Sequence, residues 1–509
     1  MSLVQSFRSG WVVPVLLSTL LGVGGSACGS RGGRVVIALR SSIGTLDPHA
    51  HDELMAWSLL SNFYDALVRF SPTMELQPAL ATSWEQVDAR TVRFHLRRGV
   101  RFHDGTPFTA EDVAASFRRA VGHPSGRLRH YLVGIEEVRA EGEDSVLVKS
   151  AAASPTLVHR LCFLFLVPKS EETVPEIREP IGTGPYRFAG RDKHGGVRGV
   201  RTATWHERPA IRLVEFVGID DESERTRSFT TGQVDVAVAL PDRLVGEVGR
   251  SPGKRLVVQP IMGVRLLAIM PGAAVGAARA ALSDVRVRRA MLAAIDRERM
   301  ANVVYSGNAT VATQYVHPVV FGYDPALRPV PYDPVQARQL LVEAGFGQGF
   351  EVELGHGHIG QEVVGQLVEN LGAIGIRVHP RGMAFPALQA RAAAGGLPLM
   401  IYSRSCMSGD ASDFLNSTIH TPDPARGFGG ENFHGFSDPV ADGLIESAEL
   451  EADREQRLRL LQHAQRRALE GLPVLPLVVQ WEHLGVSEGL EVVIRHDGWL
   501  WCAAFRWAR

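Results

Sequence analysis

Hydrophobic positions along this chain follow two periods, and stretches of each alternate. Val35 to Leu39 is a short apolar strand, closed by the polar loop Arg40 to Thr45 and then by Leu46-Asp47-Pro48. Asp52 to Val68 carries helical spacing. Thr91 to Leu96 alternates, with Val92, Phe94 and Leu96 on one face of a strand. Asp104-Gly105 marks a turn, and Thr109-Ala-Glu-Asp112 is an N-terminal capping pattern that leads into a helix over Val113 to Val121. Gly182, Gly184 and Pro185 punctuate the backbone ahead of a strand from Tyr186 to Phe188. Asp284 caps a helix over Val285 to Ala294. Asp333 and Pro334 take the N-cap and first position of a helix over Val335 to Glu343, which Ala344-Gly345 stops. The mixture predicts an α/β or α+β protein without internal repeats.

At 509 residues the chain is too long for one ordinary core, so two or three domains are expected. Hydrophobic residues at 45% and charged residues at 21% describe a soluble globular protein. A formal net charge of -1 with no basic patch argues against a nucleic-acid partner. The first residues read as an export signal: Arg8, then the apolar run Trp11 to Val23 broken by Pro14, then Gly24, Gly25, Ser26 and Ala27 before Cys28. That run is shorter than the roughly 20 residues of a spanning helix. The small residues before Cys28 resemble a lipobox, with Gly25 where leucine is usual. Lipidation of Cys28, which would hold the domain at a membrane surface, and simple cleavage after Ala27 both stay open. Cys162, Cys406 and Cys502 remain, without Cys-x-x-Cys spacing, and read as small buried hydrophobes.

One stretch is more specific. Phe63-Tyr-Asp-Ala-Leu-Val68, Leu76-Gln-Pro-Ala-Leu-Ala-Thr-Ser-Trp84, Phe94-His-Leu-Arg-Arg-Gly-Val-Arg-Phe-His-Asp-Gly-Thr-Pro-Phe108 and Thr109-Ala-Glu-Asp-Val113 follow in order. Together they resemble the signature region of family 5 solute-binding proteins, the dipeptide, oligopeptide and nickel-binding group. Gly182-Thr-Gly-Pro-Tyr-Arg-Phe188, Gly232-Gln-Val-Asp235, Val285 to Arg299, Tyr332-Asp-Pro334 and Gly375-Ile-Arg-Val378 are similar to further blocks of that family. The resemblance implies an α/β, two-lobed periplasmic-binding-protein fold of type II, in its large form with an extra subdomain and a ligand cleft between lobes. It places lobe I at residues 34 to 260 with a subdomain inserted at about 70 to 180, and lobe II at 264 to 478. It returns residues 480 to 509 to lobe I, with residues 28 to 33 as a tether. It also implies a monomeric, periplasmic or cell-surface component of an ABC importer, passing a peptide or similar small solute to a membrane permease and its ATPase. Metal-chelate and glycan carriers are alternatives within the family.

Catalytic readings fare less well. Gly355-His-Gly-His-Ile-Gly360 fits G-x-G-x-x-G between a strand, Glu351 to Leu354, and a helix, Gln361 to Leu371. The acidic residue that a dinucleotide site needs is missing, because Ile376 to Val378 leads into His379, Pro380 and Arg381. His356 and His358 would share a strand face, but no third metal ligand lies near. There is no phosphate-loop lysine motif or nucleophile elbow, and Ser408-Gly409 lacks flanking residues that would activate a serine. Neither an enzyme nor a cofactor is expected.

Ligand choice is expected to rest on Tyr402 to Asn416. In peptide-binding relatives an acid lies seven positions before the Phe of a Phe-Leu-Asn pattern and holds the peptide ammonium. Here Phe414 sets the register and Met407 occupies that place, while Asp410 is acidic and Arg404 is cationic. Arg404 suits a ligand carboxylate or phosphate, or else an internal pair with Asp410 or Asp413. Ser41, Ser42 and Thr45 of the first loop form the expected cleft floor. Trp481 is expected either to stack on ligand or to pack the hinge.

Overall fold

The computed structural model describes residues 33–508 apart from 42–43, 52, 242–243 and 358–360. The export segment with Cys28, Ser42, and His358 with the end of the glycine-rich loop lie outside the described residues.

Among the described residues, eleven strands form one mixed sheet. From one edge the order is Ile376–Gly382, Phe350–His356, Leu399–Ser405, Lys254–Ile269, Val474–Ser487, Val236–Leu240, Arg34–Leu39, Leu213–Gly218, Val197–Arg201 and Tyr186–Arg191. Ala309–Val311 pairs with Val474–Ser487 off this path. The sheet contains two parallel cores. Arg34–Leu39 lies parallel between Leu213–Gly218 and Val236–Leu240, and Phe350–His356 lies parallel between Ile376–Gly382 and Leu399–Ser405. Between the cores run two long antiparallel strands, Lys254–Ile269 and Val474–Ser487. Their register breaks between Pro260 and Val264.

Burial explains the apolar runs. Val35, Ile37 and Leu39 enter the largest core, while Val36 and Ala38 point to a smaller one around Phe229 and Leu240. A parallel strand covered on both faces has no polar side to alternate with. Thr91–Leu96 instead alternates, and its apolar face lies in a separate four-stranded antiparallel sheet with Ala81–Asp88, Ser145–Ser150 and Ile135–Ala140. The helix Ala110–Gly122 packs on that sheet. It starts earlier than the hydrophobic spacing predicts, because Thr109 and Asp112 form a reciprocal capping box. Asp112 Oδ2 accepts from the Thr109 backbone N–H at 2.7 Å.

The helix expected over Asp52 to Val68 is short, Leu54–Leu60. Tertiary contacts override local spacing beyond it. The Asn62 amide donates to Leu500 O at 2.9 Å and its oxygen accepts from Cys502 N–H at 2.9 Å, which ties this turn to the C-terminal tail. Val68–Phe70 then forms a hairpin with Leu76–Pro78. Trp499 of the tail lies 6.3 Å from Trp57, ring to ring. Asp284 and Asp333 cap their helices as expected, accepting from Arg286 N–H and Gln336 N–H. Cys162, Cys406 and Cys502 are free and buried, and burial pushes their thiols up. No described helix is long and apolar enough to cross a membrane.

Candidate functional site

Open α/β sheets bind ligands in the crevice outside the carboxyl ends of their parallel strands. Strand register shows where those ends lead here. In the first parallel core, Val236–Leu240 runs antiparallel to the second long strand with Leu240 opposite His483. Its carboxyl end therefore points toward Glu482 and Trp481. In the other core, Leu399–Ser405 runs antiparallel to the first long strand with Ser405 opposite Gly263. Its carboxyl end points at the same place from the other side. Both sets of loops converge on the register break at Pro260 to Val264, opposite Val479 to Trp481.

Several residues singled out from the sequence arrive there. Ser41 is exposed and lies two residues past the end of the first strand. Trp481 is half-buried at the break, paired in register with Pro260, and its backbone N–H donates to Asn308 O at 3.1 Å. Arg404, next to last in its strand, lies opposite Val264, which in turn faces Val479. Met407 is half-buried and packs against the largest core. Thr45 instead lines a recess with Glu176, Arg178 and Phe188 of the sheet's outer strand. Its hydroxyl accepts from Asp47 N–H at 3.2 Å and its carbonyl pairs with His51 Nε2 at 3.0 Å.

The electrostatics change two expectations. Arg404 is paired internally, but with neither Asp410 nor Asp413: Glu431 Oε2 lies 2.9 Å from its Nη1, and its Nη2 donates to Ser417 Oγ at 3.2 Å. Burial disfavours the Arg404 charge, yet Glu431, with Asp413 behind it, holds its pKa above the usual arginine value. The side chain stays 29% exposed, and its buried Nε has no hydrogen-bond partner among the described residues. Asp410 is engaged within the protein. Arg457 grips it at both oxygens, at 2.5 and 3.0 Å, and Ser412 N–H donates to it at 3.0 Å. Its carboxylate is buried and held low by that guanidinium against the cost of burial. Beside it, Asp413 accepts from Ser408 N–H at 2.9 Å, and burial pushes its carboxyl up to about 6.

Sequence reasoning missed three polar residues of this region. Gln480 holds the Ser403 hydroxyl and reaches Tyr305 OH at 3.4 Å. Glu431 comes from a loop far beyond Arg404 in sequence. Glu482 follows Trp481, and Arg40 Nη1 stands 3.5 Å from its carboxylate. A signal existed for the last: Gln480 to His483 interrupts the otherwise apolar strand Val474–Ser487.

The glycine-rich segment does sit between a strand, Phe350–His356, and a helix, Gln361–Ala373. At the carboxyl end of the next strand, however, stands Arg381, within 3.4 Å of Glu353, rather than a ribose-binding acid. His356 Nδ1 pairs with Gly357 O at 3.0 Å. Among the described residues, no group of three His, Cys, Asp or Glu is spaced to hold a metal.

Comparison with known proteins gives a consistent picture. The chain is 26% identical over 492 residues to the glutathione-binding protein GsiB of Escherichia coli strain K12, with 93% of each chain covered. Its structure superposes on the ABC transporter-associated periplasmic binding protein DppA of Helicobacter pylori, solved with peptide STSA, with a TM-score of 0.80. That match has 21% identity and covers 94% of this chain and 98% of the other. NikZ of Campylobacter jejuni, solved with Ni(L-His), gives a TM-score of 0.78 at 20% identity over 93% of this chain and 99% of the other. These likenesses establish a two-lobed α/β periplasmic-binding-protein fold. The model of bacterial extracellular solute-binding proteins, family 5, matches residues 75–425, and the chain belongs to that family.

Proposed function

We propose that this protein is the extracytoplasmic substrate-binding component of an ABC importer, capturing a peptide or a similarly sized solute. One observation carries the reading: the carboxyl ends of two separate parallel cores converge on the break in the two strands that join them. A ligand there touches loops from both halves at once, which is the condition for two lobes to close on it. In this reading lobe I comprises residues 34 to 260 and 480 to 509, with the antiparallel sheet around Thr91–Leu96 as its inserted subdomain, and lobe II comprises 264 to 478. Ser41, Trp481 and Arg404 border the cleft. The peptide class is supported by relatives named for glutathione and solved with peptide STSA. Delivery is to a membrane permease with its ATPase, and the protein carries rather than transforms its solute. Cys28, lipidated, anchors it at the membrane surface.

Native mass spectrometry of gently purified mature protein tests this. A retained peptide or peptide-sized solute is the expected result. Protein that retains nothing, and whose melting temperature no peptide mixture raises, would sink the reading. Mass analysis of membrane-fractionated cells tests the anchor, since an N-terminus still at Met1 in soluble cytosol rules it out.

A further inference from the structure

Resting on that solute-capture reading, we infer that Glu482 is the acid that receives a positively charged nitrogen of the ligand, a primary ammonium, at the crossing of the two long strands. Three observations carry this. The first is place. Glu482 lies opposite Gln259 in the ladder, beside Trp481 and one residue from the carboxyl end of Val236–Leu240. It therefore borders the crevice on which both parallel cores converge.

The second is satisfaction. The Glu482 side chain is only 11% exposed, and among the described residues its charged contact is Arg40 Nη1 at 3.5 Å, which is long for a hydrogen-bonded ion pair. Other carboxylates of this protein at similar depth are fully engaged. Glu215, also 11% exposed at its side chain, accepts from Arg198 Nε at 2.6 Å and from Arg34 at its other oxygen. Asp47 accepts from Arg119 at 2.8 and 2.5 Å and from two backbone N–H groups. Among the described residues Glu482 has no comparable set, and burying a carboxylate without one is costly.

The third is the neighbouring charge. Arg225, which also faces Glu482 electrostatically, spends its guanidinium on the carbonyls of Ile219, Val238 and Ala239. Arg40 is 45% exposed at its side chain and free to swing aside. A ligand ammonium entering here would complete the coordination that the described residues leave open, while Arg404 and Asp410 are already committed to Glu431 and Arg457.

The test is calorimetric titration of the mature chain with glutathione, Met-Leu and Ser-Thr-Ser-Ala, each as the free amine and as the N-acetylated form. Wild-type protein is expected to prefer the free amine by at least about 30-fold, and Glu482→Gln to lose that preference while still binding the acetylated form within a few-fold. Glu482→Asp should restore part of it. If Glu482 merely balances Arg40, then Glu482→Gln and Arg40→Ala will lower the melting temperature of unliganded protein alike and leave amine preference untouched, which overturns the proposal. Binding that ignores acetylation in wild-type protein also overturns it, yet leaves solute capture standing. A wild-type protein that binds none of these probes and retains no solute of any kind overturns both, whereas one that retains only a solute without an amine overturns this assignment alone.

Discussion

Asp410 and Arg404 lie close in sequence but in different electrostatic surroundings. Asp410 is buried against Arg457, so Asp410→Asn strands a guanidinium in the interior and should cost about 3–5 kcal/mol. Arg404 pairs with Glu431 at the rim, where Arg404→Ala should cost about 1 kcal/mol or less. Urea melts of both variants without ligand check the contrast, and equal losses would contradict it. Titration adds a second residue-scale expectation. Burial holds His49, His317 and His434 neutral, with pKa values lowered to about 4. A histidine with a depressed folded pKa must take up its proton on unfolding, so its stabilisation is present above about pH 6.5 and is lost as the pH falls toward 4. Each is worth up to roughly 3 kcal/mol. Asp413 works the other way. Its pKa is raised to about 6, so its contribution is present at low pH and fades as the pH rises through that value. The three histidines together outweigh Asp413, and burial also lowers His103, His159 and His206 while it raises Asp65, Glu171, Glu449 and Glu482; the expected net is a loss on acidification. Urea unfolding at pH 7, 5.5 and 4 should show falling stability, and a rise over that range would refute the assignment.

At the scale of elements, glycine placement separates packing from propensity. Gly182 and Gly184 lie against the backbone of Phe63, where an added Cβ would stand 2.1 Å from Phe63 O and 2.6 Å from Phe63 C. They are glycines because two segments touch there. Gly349 adds a left-handed φ of 74° to the same problem, since its Cβ would stand 1.8 Å from Gly375 O. Gly365, exposed in the helix Gln361–Ala373, meets nothing within 4 Å. Gly349→Ala should therefore cost more than roughly 3 kcal/mol, whereas Gly365→Ala should stabilise by about 0.5–1 kcal/mol. Chemical melts decide it, and a tolerated Gly349→Ala would mean that the turn rearranges. The caps at Asp284, Asp333 and Thr109 were legible because each is closed within a few residues of chain. The short helix at Leu54–Leu60 was not, because its end is set by Leu500 and Cys502.

For the whole molecule, the continuous links drawn across the centre of the sheet are the two long strands, whose ladder is interrupted at the point where the candidate site lies. Away from that crossing, Gly409 lies beside Met74, so that a Cβ on it would be 3.6 Å from Met74 Cε. His159 also feels the charges of Asp410 and Arg457. These contacts join parts that the proposed lobe division puts on opposite sides of the cleft. Rigid-body opening would separate them. Small-angle scattering should show a smaller radius of gyration when a retained solute is added back to stripped protein. Superimposable profiles at saturation would argue for a rigid cleft.

Sequence by itself determined the alternation of strands and helices, the caps, the apolar character of both parallel cores, and the family through the ordered run from Phe63 to Val113. Those features depend on spacing along a few neighbouring residues or on the order of motifs, and both are written in the chain. The partners of charged groups were decided only by tertiary structure. Asp410 meets Arg457, Arg404 meets Glu431, and Glu482 meets Arg40 through register between segments remote in sequence. The crossing was decided there as well. A strand's direction is invisible in its composition, and only pairing against the two long strands turns both sets of carboxyl ends toward one point. Local periodicity tells which face of a strand is buried, but pairing decides what that face meets.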